Sequence, residues 1–497
     1  MNLYNYLLAN AREEKLAILS RKEHVTYAEL VAYAESIALA LQRLGVREEE
    51  RVGILAENSA FWVASYLAIL KIGAIATPLP SRLHSGQCQS LLELVQCSAF
   101  CADPARMTKW AALLPAHSKI VTPQRERMRA YAATVEISRP ENTWPGPATT
   151  PARLPDLAAL MFTSGSTGQP NAVKISHQNI RANTESIIAY LGLKADERML
   201  VVLPFDYCFG ASLLHTHLRM GATLVINTTF LYPDSVIKDL ASYQCTGFAG
   251  VPATYQHLLR TSSFLQHTFP HLRHVQQAGG KLADVCIRAF LAQVPHVQFF
   301  VMYGQTEATA RLAYLQPERL AEKTGSIGRA IPGVSLQVLD RAGQAVRPGE
   351  EGEIVAAGEN IASGYCIPDP TKENFRGGKL YTGDLATVDE EGFIYVTGRS
   401  GDFIKPYGHR ISCKEIEEVL MEIPEIVEVA VVGRWSSEQG EIPKAYIVAA
   451  ENQKLSTERI VGYCKNKLPR YALPREIEFL SDLPKNAAHK ILKHRLV

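Results

Sequence analysis

The spacing of apolar residues changes repeatedly along the chain. Tyr27 to Leu44 (YAELVAYAESIALALQRL) carries apolar residues at helical intervals, and Gly45 stops that helix. Val52 to Leu55 reads as a short strand, Phe61 to Leu70 as a helix, and Ala74 to Pro78 as a second strand. Such alternation predicts an α/β fold of mostly parallel sheets covered by helices. Thr122 to Pro155 contains prolines at 123, 140, 145, 147, 151 and 155 and little periodicity, so it reads as a surface excursion and linker. From Asp156 the alternation resumes and runs to about residue 330.

Between residues 333 and 396 the pattern shifts to short β-rich runs (SLQVLD, GEIVAAG, FIYVTG) broken by Gly, Asp and Pro. This predicts a small antiparallel or barrel-like subdomain. A basic, polar turn follows Gly398. Beyond it, Lys414 to Leu420 is amphipathic at helical spacing, and Val427 to Val432 and Lys444 to Val448 read as strands. The expected organisation is a large N-terminal domain (1–398, including the β-rich 333–396), a hinge at 399–402, and a small mobile α+β domain (403–497).

A chain of 497 residues is longer than one core requires. With 47% hydrophobic and 21% charged residues it is neither disordered nor collagen-like. Its net charge of +2 leaves no broad footprint for nucleic acid or an anionic membrane. Charges at Arg12, Glu13, Glu14 and Lys15 stand where a secretory signal would need an apolar core. The most apolar stretch, Ser59 to Pro80, is interrupted by Lys71, Gly73, Pro78 and Pro80, so no membrane span is expected. Nine scattered cysteines, with no paired zinc-ligand spacing, suit a reducing cytoplasm.

The sharpest local feature is Thr163-Ser164-Gly165-Ser166-Thr167-Gly168, directly after the apolar run Leu157 to Phe162. Glycines let backbone N–H groups converge on an anion, and hydroxyls donate further hydrogen bonds to phosphate oxygens. The bland alternative is an ordinary polar hairpin loop. No Walker-type G-x-x-x-x-G-K-[ST], no strand-linked G-x-G-x-x-G and no H-E-x-x-H occurs, which disfavours a P-loop NTPase, a dinucleotide-binding protein and a catalytic zinc site.

The segment LMFTSGSTGQPNAVKISHQNI resembles the phosphate-loop signature of the adenylate-forming superfamily of acyl-CoA synthetases, nonribosomal peptide synthetase adenylation domains and luciferases. Further motifs follow in the expected order. Tyr303-Gly304-Gln305-Thr306-Glu307 resembles YG.TE, and Tyr381-Thr382-Gly383-Asp384 resembles TGD. Gly398-Arg399, with Ile404-Lys405 and Gly408-His409-Arg410, resembles the hinge region, and Pro484-Lys485 with Lys490 resembles the C-terminal PK…GK motif.

The resemblance implies an enzyme that joins a carboxylate to ATP, releases pyrophosphate, and passes the acyl group from the adenylate to a thiol. It implies Glu307 as a Mg²⁺ contact, since hard carboxylate oxygen suits that ion. Thr306 is implied at the α-phosphate, Asp384 at the ribose hydroxyls, and Arg399 at the ribose or phosphates. Ala278-Gly279-Gly280 would let adenine and the acyl group approach backbone. Lys490 would bridge carboxylate and phosphate oxygens during adenylation, while Lys405 and Gly408 would act in the thioester-forming conformation. Three positions depart from the pattern: Asn171 replaces the lysine after the phosphate-loop proline, Gly401 replaces the usual Asp or Lys of the hinge, and His489 replaces the glycine before Lys490. A non-catalytic nucleotide- or acyl-binding relative is the alternative of another class, motivated by Asn171 and His489.

Pro204-Phe205-Asp206-Tyr207-Cys208-Phe209-Gly210 addresses the carboxylate. Many acyl- and aryl-CoA synthetases have an apolar residue and His where Asp206 and Tyr207 stand. By resemblance, a Phe-Asp pair like Phe205-Asp206 holds the ammonium of an α-amino acid. Desolvating a carboxylate is costly unless a cation pairs with it, and such a substrate supplies one. Asp206 facing solvent or pairing with a nearby basic residue is the other reading. Tyr207 and Phe209 are expected to narrow the pocket and Gly210 to open it, so a small acid is expected, an amino acid first and a simple acyl or aryl acid second. The acceptor is the phosphopantetheine thiol of either a separate carrier protein or CoA.

Overall fold

The computed structural model describes every residue apart from 1, 81–84, 105, 107–109, 111, 115–117, 124–132, 137–155, 165–169, 230–231, 368–373, 400–402, 407–408, 410, 437–439, 451–454, 487–490 and 497. Two large sheets dominate. One has seven strands in the order Ala133–Glu136, Lys119–Thr122, Ala99–Ala102, Arg51–Leu55, Ile75–Pro78, Leu157–Ser164, Pro170–Ser176. All its pairings are parallel except the last, an antiparallel hairpin that brings Thr163 opposite Asn171.

The second sheet has nine strands and a parallel middle, built from Gln298–Tyr303, His274–Gln277, Gly247–Gly250, Arg198–Val201, Thr223–Ile226 and Leu16–Leu19. Strands such as Thr223–Ile226 are buried at every position, the pattern of a parallel sheet covered on both faces.

The helices follow their caps and apolar faces. Tyr27–Arg43 starts at Thr26, whose side chain and Glu29 form a reciprocal capping box. Ala60–Lys71 begins at Ser59 and buries every residue up to Leu70, and Cys208–Arg219 buries every residue up to Leu218. A helix apolar all round, such as Ala60–Lys71, belongs inside a core, whereas Cys208–Arg219 buries Ser212, His215, Thr216 and His217 along with its apolar residues.

A five-stranded antiparallel sheet follows: Val334–Leu339, Gly352–Gly358, Phe375–Arg376, Lys379–Val388 and Ile394–Arg399. Beyond Arg399 lie a two-stranded ribbon (Phe403–Ile404, Ile411–Ser412), helices Cys413–Met421 and Thr457–Lys465, and a three-stranded sheet of Ile426–Ser436, Gly440–Ala449 and Glu476–Phe479. The α/β class with a β-rich unit and a small α+β C-terminal part is therefore present.

Most of the proline-rich stretch read as an excursion and linker (124–132 and 137–155) lies outside the described residues. Its Ala133–Glu136 is an edge strand, paired parallel with Lys119–Thr122. A four-residue strand is too short for periodicity to reveal among flanking prolines, and its partner in the sheet decides its state. Among the described residues, no helix is long and apolar enough to cross a membrane, and the nine cysteines are all free thiols.

Candidate active site

The site forms where the nine-stranded sheet, the antiparallel sheet and the helix Cys208–Arg219 converge. Along Lys379–Val388, Leu380, Thr382, Asp384 and Ala386 point inward by strand alternation. The register places Asp384 opposite Arg399. Arg399 Nε donates to Asp384 Oδ1 at 2.7 Å, and Tyr303 Oη donates to Oδ2 at 2.7 Å. Asp384 is only 5% exposed. Burial alone would raise its pKa, but the Arg399 charge and the Tyr303 hydroxyl together hold it below the usual carboxylate value. Arg399 is in turn pushed up, first by Asp384, with Tyr303 and Glu307 adding to the field. Asp384 is thus an oriented, ionised acceptor at the edge of the crevice.

Tyr303 ends its strand, and the chain then turns tightly. A Cβ on Gly304 would lie 1.9 Å from the Ala310 carbonyl oxygen, so only glycine allows this return. The turn passes through the short 3₁₀ segment Thr306–Ala308 and comes back as Ala313–Leu315, antiparallel to Gln298–Tyr303. Thr306 and Glu307 are both buried. The loop is pinned by residues 360–365: Tyr365 Oη donates to Glu307 Oε1 at 2.8 Å, the Ala362 amide donates to the Glu307 carbonyl at 2.9 Å, and Asn360 Nδ2 donates to the Arg311 carbonyl at 2.9 Å.

The opposite wall is Ala278-Gly279-Gly280, just past the strand His274–Gln277. Gly279 has φ +86°, and a Cβ there would sit 3.3 Å from the Tyr207 hydroxyl. Tyr207 therefore reaches across to bare backbone. It is the N-cap residue of Cys208–Arg219, where the preceding turn holds Phe205 buried against Trp62 at 5.1 Å and Asp206 half-buried. Burial raises the Cys208 thiol pKa, opposed by a hydrogen bond with Thr306, which ties this turn to the Glu307 loop.

Gly210 also packs closely against the turn that precedes its helix. Its missing Cβ would lie 2.0 Å from the Pro204 carbonyl oxygen, so the glycine lets the helix close against the turn. Arg311, 1% exposed and set 4.0 Å from the Phe209 ring, lies beneath the turn.

Asp384, Arg399, Tyr303, Gly304, Thr306 and Glu307 come together as one constellation, and Tyr207 meets Gly279 on the facing wall. Thr163 lies half-buried at the end of Leu157–Ser164, and Ser164 is its last residue. Gly165, Ser166, Thr167, Gly168, Gly401, Gly408, His489 and Lys490 lie outside the described residues. Lys405 is exposed, its backbone amide donating to Glu441 Oε2 at 2.7 Å. Tyr365, Asn360 and Arg311 were not foreseen. They lie in stretches without periodicity or motif, and only the folded register brings residues 360–365 against the Glu307 loop.

The donor set suits a nucleotide with its metal. Among the described residues no three metal-ligating side chains converge, so no all-protein cage is built. A single buried carboxylate, Glu307, oriented by Tyr365, matches an ion held mainly by phosphate oxygens and water, the habit of Mg²⁺. Asp384, with both oxygens fixed by donors, matches recognition of vicinal hydroxyls.

The Tyr-Gly-x-Thr-Glu turn, the Asp–Arg pair on the antiparallel sheet and the small C-terminal part beyond it agree with the relatives of this chain, which make it an AMP-forming acid–thiol ligase. The chain belongs to the AMP-binding enzyme family: residues 8–366 match the model of the AMP-binding enzyme and residues 415–490 that of the AMP-binding enzyme C-terminal domain. A feruloyl-CoA synthase from Amycolatopsis sp is 30% identical over 94% of this chain and 92% of its own. A 2-succinylbenzoate–CoA ligase from Bacillus pumilus (strain SAFR-032) is 29% identical over 99% and 97%. Among solved structures, the anthranilate CoA ligase AuaEII in complex with anthranoyl-AMP superposes with TM-score 0.87 at 26% identity, covering 100% of this chain and 96% of that one. The o-succinylbenzoate coenzyme A synthetase MenE from Bacillus subtilis, in complex with ATP and magnesium ion, gives 0.84 at 28% identity, covering 99% of each.

Proposed function

We propose that this enzyme activates a small carboxylic acid with Mg²⁺-bound ATP and transfers the acyl group to the phosphopantetheine thiol of CoA. The observation that carries this reading is the ionised Asp384, held between Tyr303 and Arg399 beside the Tyr365-oriented Glu307. Asp384 binds the ribose hydroxyls, and Arg399 adds positive charge near the phosphates. Glu307 would hold the Mg²⁺, which would supply positive charge to the phosphate oxygens, and Thr306 would donate to the α-phosphate. The carboxylate oxygen attacks the α-phosphorus and pyrophosphate leaves; the thiol then gives up its proton to solvent as its sulfur attacks the acyl carbon, and the bond from that carbon to the phosphate oxygen breaks to release AMP. Stabilising charge on these oxygens is the main catalytic task, and it falls to preplaced donors. The loop Thr163 to Gly168 cradles the outer phosphates. The hydroxyl of Tyr207 and the bare backbone at Ala278 to Gly280 frame the acyl group. Residues 399–402 form the hinge about which residues 403–497 turn, presenting Lys490 in the first step and Lys405 in the second.

CoA as acceptor is supported by the relatives, which are named for CoA thioesters. A second reading, an amino acid loaded onto a separate carrier protein, draws on the half-buried Asp206 at the turn before Tyr207. Carboxylate-dependent ATP–pyrophosphate exchange over aryl, short aliphatic and amino acids tests both, followed by thioester analysis with CoA. Exchange with simple acids and a CoA product supports the first. Exchange confined to amino acids, lost in Asp206→Ala, supports the second. Bound ATP without exchange for any acid defeats both.

A further inference from the structure

A chain of ionisable side chains joins the small C-terminal part to the large one. Glu428, on the strand Ile426–Ser436, is 1% exposed. Its Oε1 lies 2.8 Å from His257 Nε2, on the helix Pro252–Thr261 of the large part. Its Oε2 lies 2.8 Å from Lys485 Nζ, and Lys485 also contacts Asp482. Burial works against the Lys485 ammonium, yet the Glu428 charge and Asp482 keep its pKa above the ordinary lysine value. A buried carboxylate is costly without compensating charge, and His257 and Lys485 stand beside the two oxygens of Glu428, so the three side chains form one unit.

The position of this unit in the chain gives it a use. Lys485 is bridged antiparallel to Ile491, the residue after Lys490. The base of the segment that carries Lys490 is therefore tied, through Glu428, to a helix of the large part. That helix directly follows the strand Gly247–Gly250, neighbour of the strand that leads into Ala278 to Gly280. Lys405, in contrast, is exposed and bound through its backbone to Glu441 within the small part.

We infer that His257 and Glu428 are positioning residues for the adenylation step: they latch the small part in the arrangement that serves Lys490, and the latch opens before the thiol is acylated. The inference rests on the proposed roles of Lys490 and Lys405. Leaving this arrangement breaks the His257–Glu428 contact but keeps Glu428–Lys485, which lies within the small part. The latch therefore biases one conformation without leaving the carboxylate unpaired.

The informative variant is His257→Leu, because His257 is partly exposed and its loss spares the Glu428–Lys485 pair. Two half-reactions are read separately: adenylate formation from acid and ATP, and thioester formation from supplied acyl-adenylate and CoA. Hydrogen exchange of Pro252–Thr261 and Ile426–Ser436 is followed in the same proteins. Losing one charge-assisted hydrogen bond should slow adenylation about tenfold. Thioester formation should be unchanged or faster, and both segments should lose protection. His257→Gln, which keeps a donor, should recover most of the adenylation rate. Equal slowing of both half-reactions, or wild-type adenylation with protection intact, would overturn the latch. If the wild-type protein activates no acid, the functional reading fails, and the exchange difference still reports whether the contact joins the two parts.

Discussion

Gly304→Ala tests whether the Thr306–Glu307 turn is held by close backbone approach. A Cβ there would sit 1.9 Å from the Ala310 carbonyl oxygen and 2.8 Å from the Arg311 Cα. An unstrained carbon–oxygen approach is about 3.3 Å, so the strands must part by about 1.4 Å. Both obstructing atoms belong to the backbone, and no side chain can rotate out of the way. Overpacking of this kind costs about 1–3 kcal/mol of stability. The larger consequence is geometric, because the displaced loop carries Thr306 and Glu307. A misplacement of about 1 Å is expected to slow adenylation on the order of 100-fold. ATP–pyrophosphate exchange with the best acid measures the rate, and a thermal melt measures the stability. Gly462→Ala is the control: it lies in the helix Thr457–Lys465 with nothing near its Cβ position, and should gain about 0.5–1 kcal/mol with activity unchanged. Exchange by Gly304→Ala within twofold of wild type would refute the reasoning.

Arg399→Gln should weaken AMP binding in calorimetry and destabilise the fold by about 1 kcal/mol at neutral pH, a charge-assisted hydrogen bond discounted for the half-exposed guanidinium. Because the Asp384 pKa is depressed in the folded protein, its contribution is complete above the ordinary carboxylate value near ~4 and is lost as pH falls through the lower folded value. The stability gap between wild type and Arg399→Gln should therefore close on acidification, and a gap constant from neutral pH to pH ~3 would contradict the assignment. Glu307→Gln should lower exchange on the order of 100-fold at saturating Mg²⁺, whereas Tyr365→Phe should cost about tenfold and shift the Mg²⁺ titration to higher concentration. Lys490→Ala should slow adenylation on the order of 100-fold with an unchanged circular dichroism spectrum; wild-type exchange would remove Lys490 from the mechanism.

The chain's local patterns were enough to place the α/β class, the antiparallel insert and the order of the motifs. Apolar period and turn chemistry act over a few residues, so the spacing from Tyr27 announces its helix and Gly45 its end without reference to anything distant. The same locality explains the edge strand Ala133–Glu136, which is too short to show a period and is defined by its neighbour Lys119–Thr122. Motif chemistry named Asp384, Arg399, Tyr303 and Glu307, and register across two separate sheets turned these names into contacts.

Tertiary structure alone decided the rest. Tyr365 orients Glu307 from 58 residues away, and His257 meets Glu428 across 171, separations over which no sequence period carries information. Gly210 adds a packing role that its type alone does not state: a Cβ there would meet the Pro204 carbonyl oxygen at 2.0 Å. Residue type states what a side chain can donate, accept or leave empty. What it faces is settled only when strands and helices distant in the chain are brought into register around it.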